Sequence, residues 1–289
     1  MTARAETLRV LTFNVCGLPS RLHPLAQRAV RFCREIEASD ADVVNLQEVW
    51  GPSALAAVRA GLPSYPFVAW QRGLGGRPAG GLVTFSRRPI GSVSFRSFGG
   101  TRPAVGSPWF RLKRVVNGYL QGILTVPLPG LATVVNTHLS ANKDGDWSAG
   151  NRYLPFQRAQ LEVLHATLAA ARRQAGGDAA PAVVTGDFNI ASDGPLYPQI
   201  VDGGAWRDPF AAADPPTFQT EFLPPGSTPH RIDYLLVSGP AQRFPVLDSG
   251  LLFAGPLTLP DGSREFASDH VALTARIGLP GPGPADPTT

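Results

Sequence analysis

Between Gly51 and Lys143 the chain has no Asp or Glu, while eleven Lys and Arg fall in the same stretch. A stretch of one sign cannot neutralise itself, which favours an anionic partner; an overall taste for arginine is the plainer explanation. Lysine is almost missing, since Lys113 and Lys143 are the only two among 26 basic residues. Only Cys16 and Cys33 occur, too few for a disulfide framework or a cysteine-built zinc site. Both are expected to be buried small hydrophobes. No apolar run is long enough for a membrane-spanning helix. The opening Met-Thr-Ala-Arg-Ala-Glu lacks the apolar segment of a signal peptide, which leads to the expectation of a cytoplasmic protein. No linker splits the 289 residues into halves with separate motif sets. One domain over residues 1–279 is therefore expected, with a disordered Pro/Gly-rich tail at 280–289.

What the chain does have is a series of β-branched apolar runs, each ending in a polar word. Leu8 to Phe13 runs into Asn14, Asp42 to Gln47 into Glu48, and Ala132 to Thr137 into His138. Ala182 to Gly186 runs into Asp187-Phe188-Asn189, and Ser268-Asp269-His270 closes the series. Polar groups at the ends of buried strands are how a sheet presents chemistry at one rim. Helical spacing is expected from Leu25 to Ala38, from Ser53 to Leu62 with Ser53 as N-cap, and after Pro155 to about Gln174. Strands are expected at Phe67–Trp70, Gly81–Phe85, Ser92–Phe95, Tyr119–Val126, Ile232–Val237 and Val271–Ile277. Mixed elements of this kind suggest a layered α/β protein.

The ordered words Asn14-Val15, Gln47-Glu48-Val49, Asn136-Thr137-His138-Leu139, Gly186-Asp187-Phe188-Asn189, Arg231-Ile232-Asp233-Tyr234 and Ser268-Asp269-His270 resemble the endonuclease/exonuclease/phosphatase superfamily. Its members are metal-dependent phosphoesterases that include DNase I, exonuclease III and the neutral sphingomyelinases. The resemblance runs from Leu8 to about Leu279 and is specific as a set, though any single word is weak. It implies a DNase I-like four-layer α/β sandwich, with two mixed β-sheets flanked by helices.

The resemblance also implies hydrolysis assisted by Mg²⁺, or Mn²⁺. Glu48 is the expected carboxylate ligand, with a carbonyl oxygen from Asn14, and Asp269 touches the metal directly or through water. His270 is the expected general base, oriented by Asp233. Asp187 and Asn189 lie two apart, so on an extended segment they would face one side. One would then hold the attacking water or metal while the other donates to a phosphate oxygen. His138 stands where the nuclease and sphingomyelinase branches bind phosphate and help the leaving oxygen. Taken singly, each has a plainer reading: a loop acid, a Ser-Asp cap, a Gly-Asp turn, a core histidine.

Several runs are similar to the neutral sphingomyelinase branch, among them Leu46-Gln47-Glu48-Val49-Trp50, Gly80 to Ile90, Thr137-His138-Leu139-Ser140-Ala141 and Arg231 to Val237. One departure is Asn117 before Gly118, where that branch carries a lysine. The expected partner is a phosphodiester, either a phospholipid headgroup cleaved in sphingomyelinase C fashion or a nucleic acid. Two further readings stay open, phosphatase activity on inositol polyphosphates and an inactive binding module of the same fold. Phe95, Phe98, Trp109 and Phe110 interleave with the arginines and, if exposed, would seat at an anionic membrane surface or stack on bases; if buried they are core. A peripheral, monomeric protein is the expectation.

Overall fold

The computed structural model describes residues 6–18, 22–101, 107–174, 180–259 and 261–280. The tail expected beyond Pro280, and Arg102 of the acid-free stretch, lie outside them.

Fourteen strands form the described sheets: β1 (Thr7–Asn14), β2 (Val43–Gln47), β3 (Phe67–Ala69), β4 (Val83–Ser86), β5 (Ser94–Ser97), β6 (Gly122–Leu128), β7 (Ala132–His138), β8 (Ala182–Asp187), β9 (Trp206–Arg207), β10 (Asp233–Ser238), β11 (Val246–Leu252), β12 (Leu257–Thr258), β13 (Arg264–Glu265) and β14 (Ala272–Gly278). Five α-helices accompany them: α1 (Leu25–Glu37), α2 (Pro52–Gly61), α3 (Pro108–Leu120), α4 (Leu154–Gln174) and α5 (Tyr197–Ile200). One six-stranded sheet runs β11-β14-β1-β2-β4-β3 and the other β5-β6-β7-β8-β10-β9, with β12-β13 a separate ribbon. Both large sheets are mixed. Each has a single parallel pair, β1 with β2 and β7 with β8, among antiparallel neighbours.

Period-two alternation assigns each strand residue to a layer. On β1, Leu8 and Val10 join Val43, Val134, Val183, Leu235 and Leu273 in the apolar layer between the sheets. Leu11 and Phe13 face the other way, onto Phe32, Ile36 and Val58 of α1 and α2. The second sheet turns Val135, Val184 and Leu236 outward onto Leu161, Leu164 and Leu168 of α4. The architecture is helix, sheet, sheet, helix, the expected four-layer α/β sandwich.

Toward one end of the sandwich the inter-sheet layer changes from apolar to hydrogen-bonded. The Asn45 amide donates to Thr185 Oγ1 at 2.7 Å and the Gln47 amide to Asn136 Oδ1 at 2.8 Å. Asn136 donates in turn to the carbonyls of Leu46 and Val83 at 3.0 and 3.2 Å. These amides are fully buried, and their mutual hydrogen bonds, which leave the Gln47 Oε1 oxygen without a partner, hold two surfaces in one register where Val or Leu would allow sliding.

Several elements differ from expectation, among them β5, which is shifted to Ser94–Ser97 from the expected Ser92–Phe95, and β4, which starts at Val83 and not Gly81. Gly51, not Ser53, caps α2, because Pro52 takes the first helical position. Tyr119 and Leu120 end α3, and β6 starts only at Gly122. The sequence hides this helix because its apolar residues do not face the core, so the run into Gly122 reads as one strand. β11 alternates half-buried and exposed residues at a sheet edge, leaving little hydrophobic signal.

Candidate active site

The site occupies the hydrogen-bonded end of the sandwich. Asn14, His138 and Asp187 are the last residues of β1, β7 and β8, and Asp233 is the first of antiparallel β10. In the sheet register Asp187 lies beside both His138 and Asp233. Each of these four residues has the parity of the inter-sheet layer, so all four point into the gap. Gly186 makes this crossing possible. Its φ is +145°, and a Cβ there would sit 1.9 Å from the Thr137 carbonyl oxygen, so β7 and β8 approach closely only with glycine.

Asp187 is the hub. Its Oδ2 accepts from the Asn14 amide at 2.9 Å and lies 3.5 Å from His138 Nε2 and 3.7 Å from His270 Nε2. Its Oδ1 accepts from the Asn189 backbone N–H at 2.8 Å. Burial, reinforced by repulsion from Asp233, pushes the Asp187 carboxyl up to about 6. His270 Nδ1 meets Asp233 Oδ2 at 2.9 Å, and both side chains are buried. Burial opposes charge on His270, but Asp233 and then Asp187 outweigh it and hold the imidazole well above its ordinary value. The edge of Phe218 closes one side of the ring, 5.1 Å away between centroids. Asp233 itself is steadied from behind, where its backbone N–H donates to Thr217 Oγ1 at 3.0 Å.

Glu48 and Asp269 are half-buried at the rim. Glu48 accepts from the Asn14 amide at 3.4 Å and holds φ +66°; Gly17 lets its carbonyl in, since a Cβ at Gly17 would meet that oxygen at 1.8 Å. Asn14 presents its amide nitrogen to the site, because its oxygen accepts from the Cys16 N–H at 3.0 Å. Asn189 departs from the extended geometry expected for it. Its φ is +53°, and its side chain donates to the Leu139 carbonyl at 3.0 Å.

Arg28 was invisible in the sequence. It is 2% exposed on α1, and its guanidinium donates to the carbonyls of Val15 at 3.0 Å, Cys16 at 2.7 Å and His23 at 2.7 Å, and also to that of Ala267. It thereby ties the loop after Asn14 to the loop before Ser268. Burial lowers its pKa, against the opposing fields of Cys16, Asp269 and Glu48. Helical periodicity offers only the weak signal of an arginine one residue before the apolar Ala29.

Two grooves flank the cluster. One, of about 570 Å³, is lined by Trp50, Arg72, Arg77, Phe95, Tyr119 and Leu120; the Trp50 ring lies 6.4 Å from that of His138. The other, of about 520 Å³, is lined by Lys143, Trp147, Asn189, Phe218, Phe222 and His230. The acid-free stretch is not one free cationic surface. Arg88 pairs with Asp42 at 3.0 Å, Arg87 donates to the Glu37 carbonyl at 3.1 Å, and Arg114 is buried. Cys16 and Cys33 are buried thiols with no disulfide between them. His165 and His23 lie away from the cluster, near Asp202 and Glu265 respectively.

The donor set fits a hard cation. Asp187, Asp233 and His270 offer ligand atoms within 4.8 Å of one another, and Glu48 and Asp269 add carboxylates at the rim. Arg28, the buried cation among them, spends its hydrogen bonds on backbone carbonyls. The carboxylates outnumber the positive charge facing them, as a divalent ion would require. The His270–Asp233 hydrogen bond already uses two of the three clustered groups, so the half-buried Glu48 and Asp269 supply the carboxylates outside that bond.

The sequence profile of the Endonuclease/Exonuclease/phosphatase family matches residues 11–270. The chain belongs to this family. Human protein angel homolog 2 is 30% identical over 176 residues, which is 59% of this chain but only 30% of that protein. Among solved structures, truncated Caenorhabditis elegans TDP2 aligns with a TM-score of 0.67 at 19% identity, over 94% of this chain and 98% of that one. Sphingomyelinase C from Streptomyces griseocarneus aligns with a TM-score of 0.64 at 23% identity, over 95% and 100%. These likenesses carry the fold, and they extend to more than one substrate branch.

Proposed function

We propose that the protein is a divalent-metal-dependent phosphodiesterase that hydrolyses a phospholipid headgroup in the manner of a sphingomyelinase C. The buried His270–Asp233 pair beside Asp187 carries the phosphodiesterase reading. Asp233 accepts from Nδ1 of His270, which directs Nε2 into the site, where the neutral form of the imidazole takes a proton from the attacking water. Because Asp233 and Asp187 favour its charged form, that neutral fraction, and the rate with it, rises with pH. Asp187, pushed up toward neutrality by burial, orients that water with the Asn189 loop. His138 faces the phosphate and steadies the leaving oxygen. Glu48 would hold the ion, with Asp269 beside it; Asn14, whose oxygen is turned to the Cys16 N–H, serves the site through its amide nitrogen, which donates to Glu48 and Asp187. A bound Mg²⁺ or Mn²⁺ would supply charge neutralisation at the phosphate.

The phospholipid reading draws support from the runs shared with the neutral sphingomyelinase branch, from the likeness to a sphingomyelinase C, and from the aromatic lining of both grooves. It is tested by parallel assays on sphingomyelin vesicles, plasmid DNA and an inositol polyphosphate, with Mg²⁺, with Mn²⁺ and with EDTA. Headgroup release that EDTA abolishes is expected. Cleavage of DNA, or of the inositol phosphate, without headgroup release would overturn the substrate.

A further inference from the structure

Helix α3 is inside out. Its buried side consists of Phe110, Arg114 and Gly118. Gly118 packs so tightly that a Cβ would lie 2.9 Å from the Phe98 carbonyl oxygen. Arg114 is 6% exposed, with its Nε and Nη1 unpartnered, between the rings of Phe110 and Tyr153. The outward side carries Trp109, Leu112, Val116, Tyr119 and Leu120, which are 64%, 54%, 48%, 63% and 46% exposed. At about 100° per residue these five fall within an arc of about 100°, the width of a face that a helix ordinarily buries. Half of the ten exposed large hydrophobics of the described residues lie on this one helix.

The surroundings of that face select its partner. Arg111 and Lys113 are exposed on α3, and the Lys113 ammonium lies 5.0 Å above the Trp109 ring. No acidic residue occurs on the helix or anywhere from Gly51 to Lys143. A second copy of the chain would bring these cations against their own kind. A nucleic-acid backbone would leave the leucine and valine side chains facing phosphate. An apolar stripe with basic flanks and an aromatic edge is the pattern of a helix lying in an anionic lipid interface, its basic heads reaching up to the headgroups. The face also continues into the site, since Tyr119 and Leu120 line the groove that holds Trp50, Arg72 and Arg77, where Leu74 is 83% exposed.

We propose that the outward face of α3 is a docking surface for an anionic phospholipid bilayer, seating the Trp50 groove and the His138 side of the site on the membrane. This deepens the phospholipid reading and rests on it for the purpose of the contact.

The test is sedimentation of the full chain with vesicles of phosphatidylcholine and sphingomyelin, with and without phosphatidylserine. Wild type is compared with the double variant Leu112→Gln/Val116→Gln and with Arg111→Glu/Lys113→Glu. Light scattering gives the oligomeric state, and turnover of bis(p-nitrophenyl) phosphate gives the chemistry without an interface. Phosphatidylserine should drive wild type onto vesicles. Each double variant should lower partitioning by at least about 10-fold, with turnover of the soluble diester within about 2-fold of wild type and an unchanged melting temperature. Partitioning equal to wild type in both variants overturns the proposal. So does a wild-type dimer that Leu112→Gln/Val116→Gln converts to monomer. Vesicle binding without headgroup release leaves the docking surface standing and removes the phospholipid substrate. Headgroup release from a short-chain soluble phospholipid, without vesicle binding, removes the docking surface alone.

Discussion

Replacing Asp233 by Asn separates catalysis from stability. Asn keeps the shape of Asp233, and the backbone stays anchored through its N–H to Thr217 Oγ1. What disappears is the charge 2.9 Å from His270 Nδ1. An amide no longer fixes the imidazole tautomer or supports the imidazolium that forms when the water is deprotonated. A general base contributes about 10²–10⁴-fold, and a tenfold step is about 1.4 kcal/mol of barrier, so kcat should fall by at least about 10²-fold. Stability responds differently. Losing a charge-assisted hydrogen bond costs about 1.5–3 kcal/mol. Against this, Asp187 is held up from 3.8 to about 6, by burial first and Asp233 second, a total penalty of about 3 kcal/mol. Removing Asp233 relieves the smaller share of it, so the net loss in EDTA should stay below about 3 kcal/mol. The sign with pH follows. A carboxyl raised in the folded state contributes stability that is fully present below pH 3.8 and is lost as pH rises through about 6. Asp233→Asn should flatten that decline. Urea unfolding in EDTA between pH 4 and 7, beside kcat on a soluble diester, reads both quantities. Turnover within about 5-fold of wild type would refute the pairing. So would multiplicative losses in Asp233→Asn/His270→Ala, because two residues serving one proton transfer cannot lose it twice.

Glu48→Gln should fold normally yet lose most metal-dependent turnover, because an amide is a poor Mg²⁺ ligand; full activity, or full wild-type activity in excess EDTA, would remove Glu48 from the metal site. Arg28→Lys should lower kcat and weaken the apparent metal affinity together, on the order of 10-fold, because one ammonium cannot span the Val15, Cys16 and Ala267 carbonyls; unchanged metal titration would reduce Arg28 to a packing role. Cys33 and Tyr65 are both raised by burial to about 12, from 9.0 and 10.0. Their stability contribution is complete below pH 9 and is lost toward pH 12, at up to about 1.4 kcal/mol per pH unit for each group. Alkaline unfolding midpoints should therefore show a flatter decline in Cys33→Ala, and an identical slope would count against a buried thiol.

The strand cores and the residues that end them are legible in the amino-acid order alone. β-branched alternation marks which side chains share a layer, so the reach of β1 to Asn14 and of β8 to Asp187 was readable, as was the α1 stripe of Leu25, Ala29, Phe32, Cys33 and Ile36. Order and spacing of the polar words pointed to a family and its chemistry. How the words meet depends on the packing of the two sheets. Asn14 and Asp187 are 173 residues apart, yet their side chains touch at 2.9 Å, because the Asn45–Thr185 and Gln47–Asn136 bonds lock the sheets in register. No local pattern encodes that lock, since a buried Asn in a strand reads as a strand end or a turn. Arg28 was hidden for the same reason. An arginine beside an apolar stripe is ordinarily solvated, and what buries it here is four carbonyls drawn from three separate segments. Helix α3 failed in the opposite direction. Its periodicity is present, but a hydrophobic stripe is read as facing the core, and only the fold shows that Arg114 faces in while Leu112 and Val116 face out.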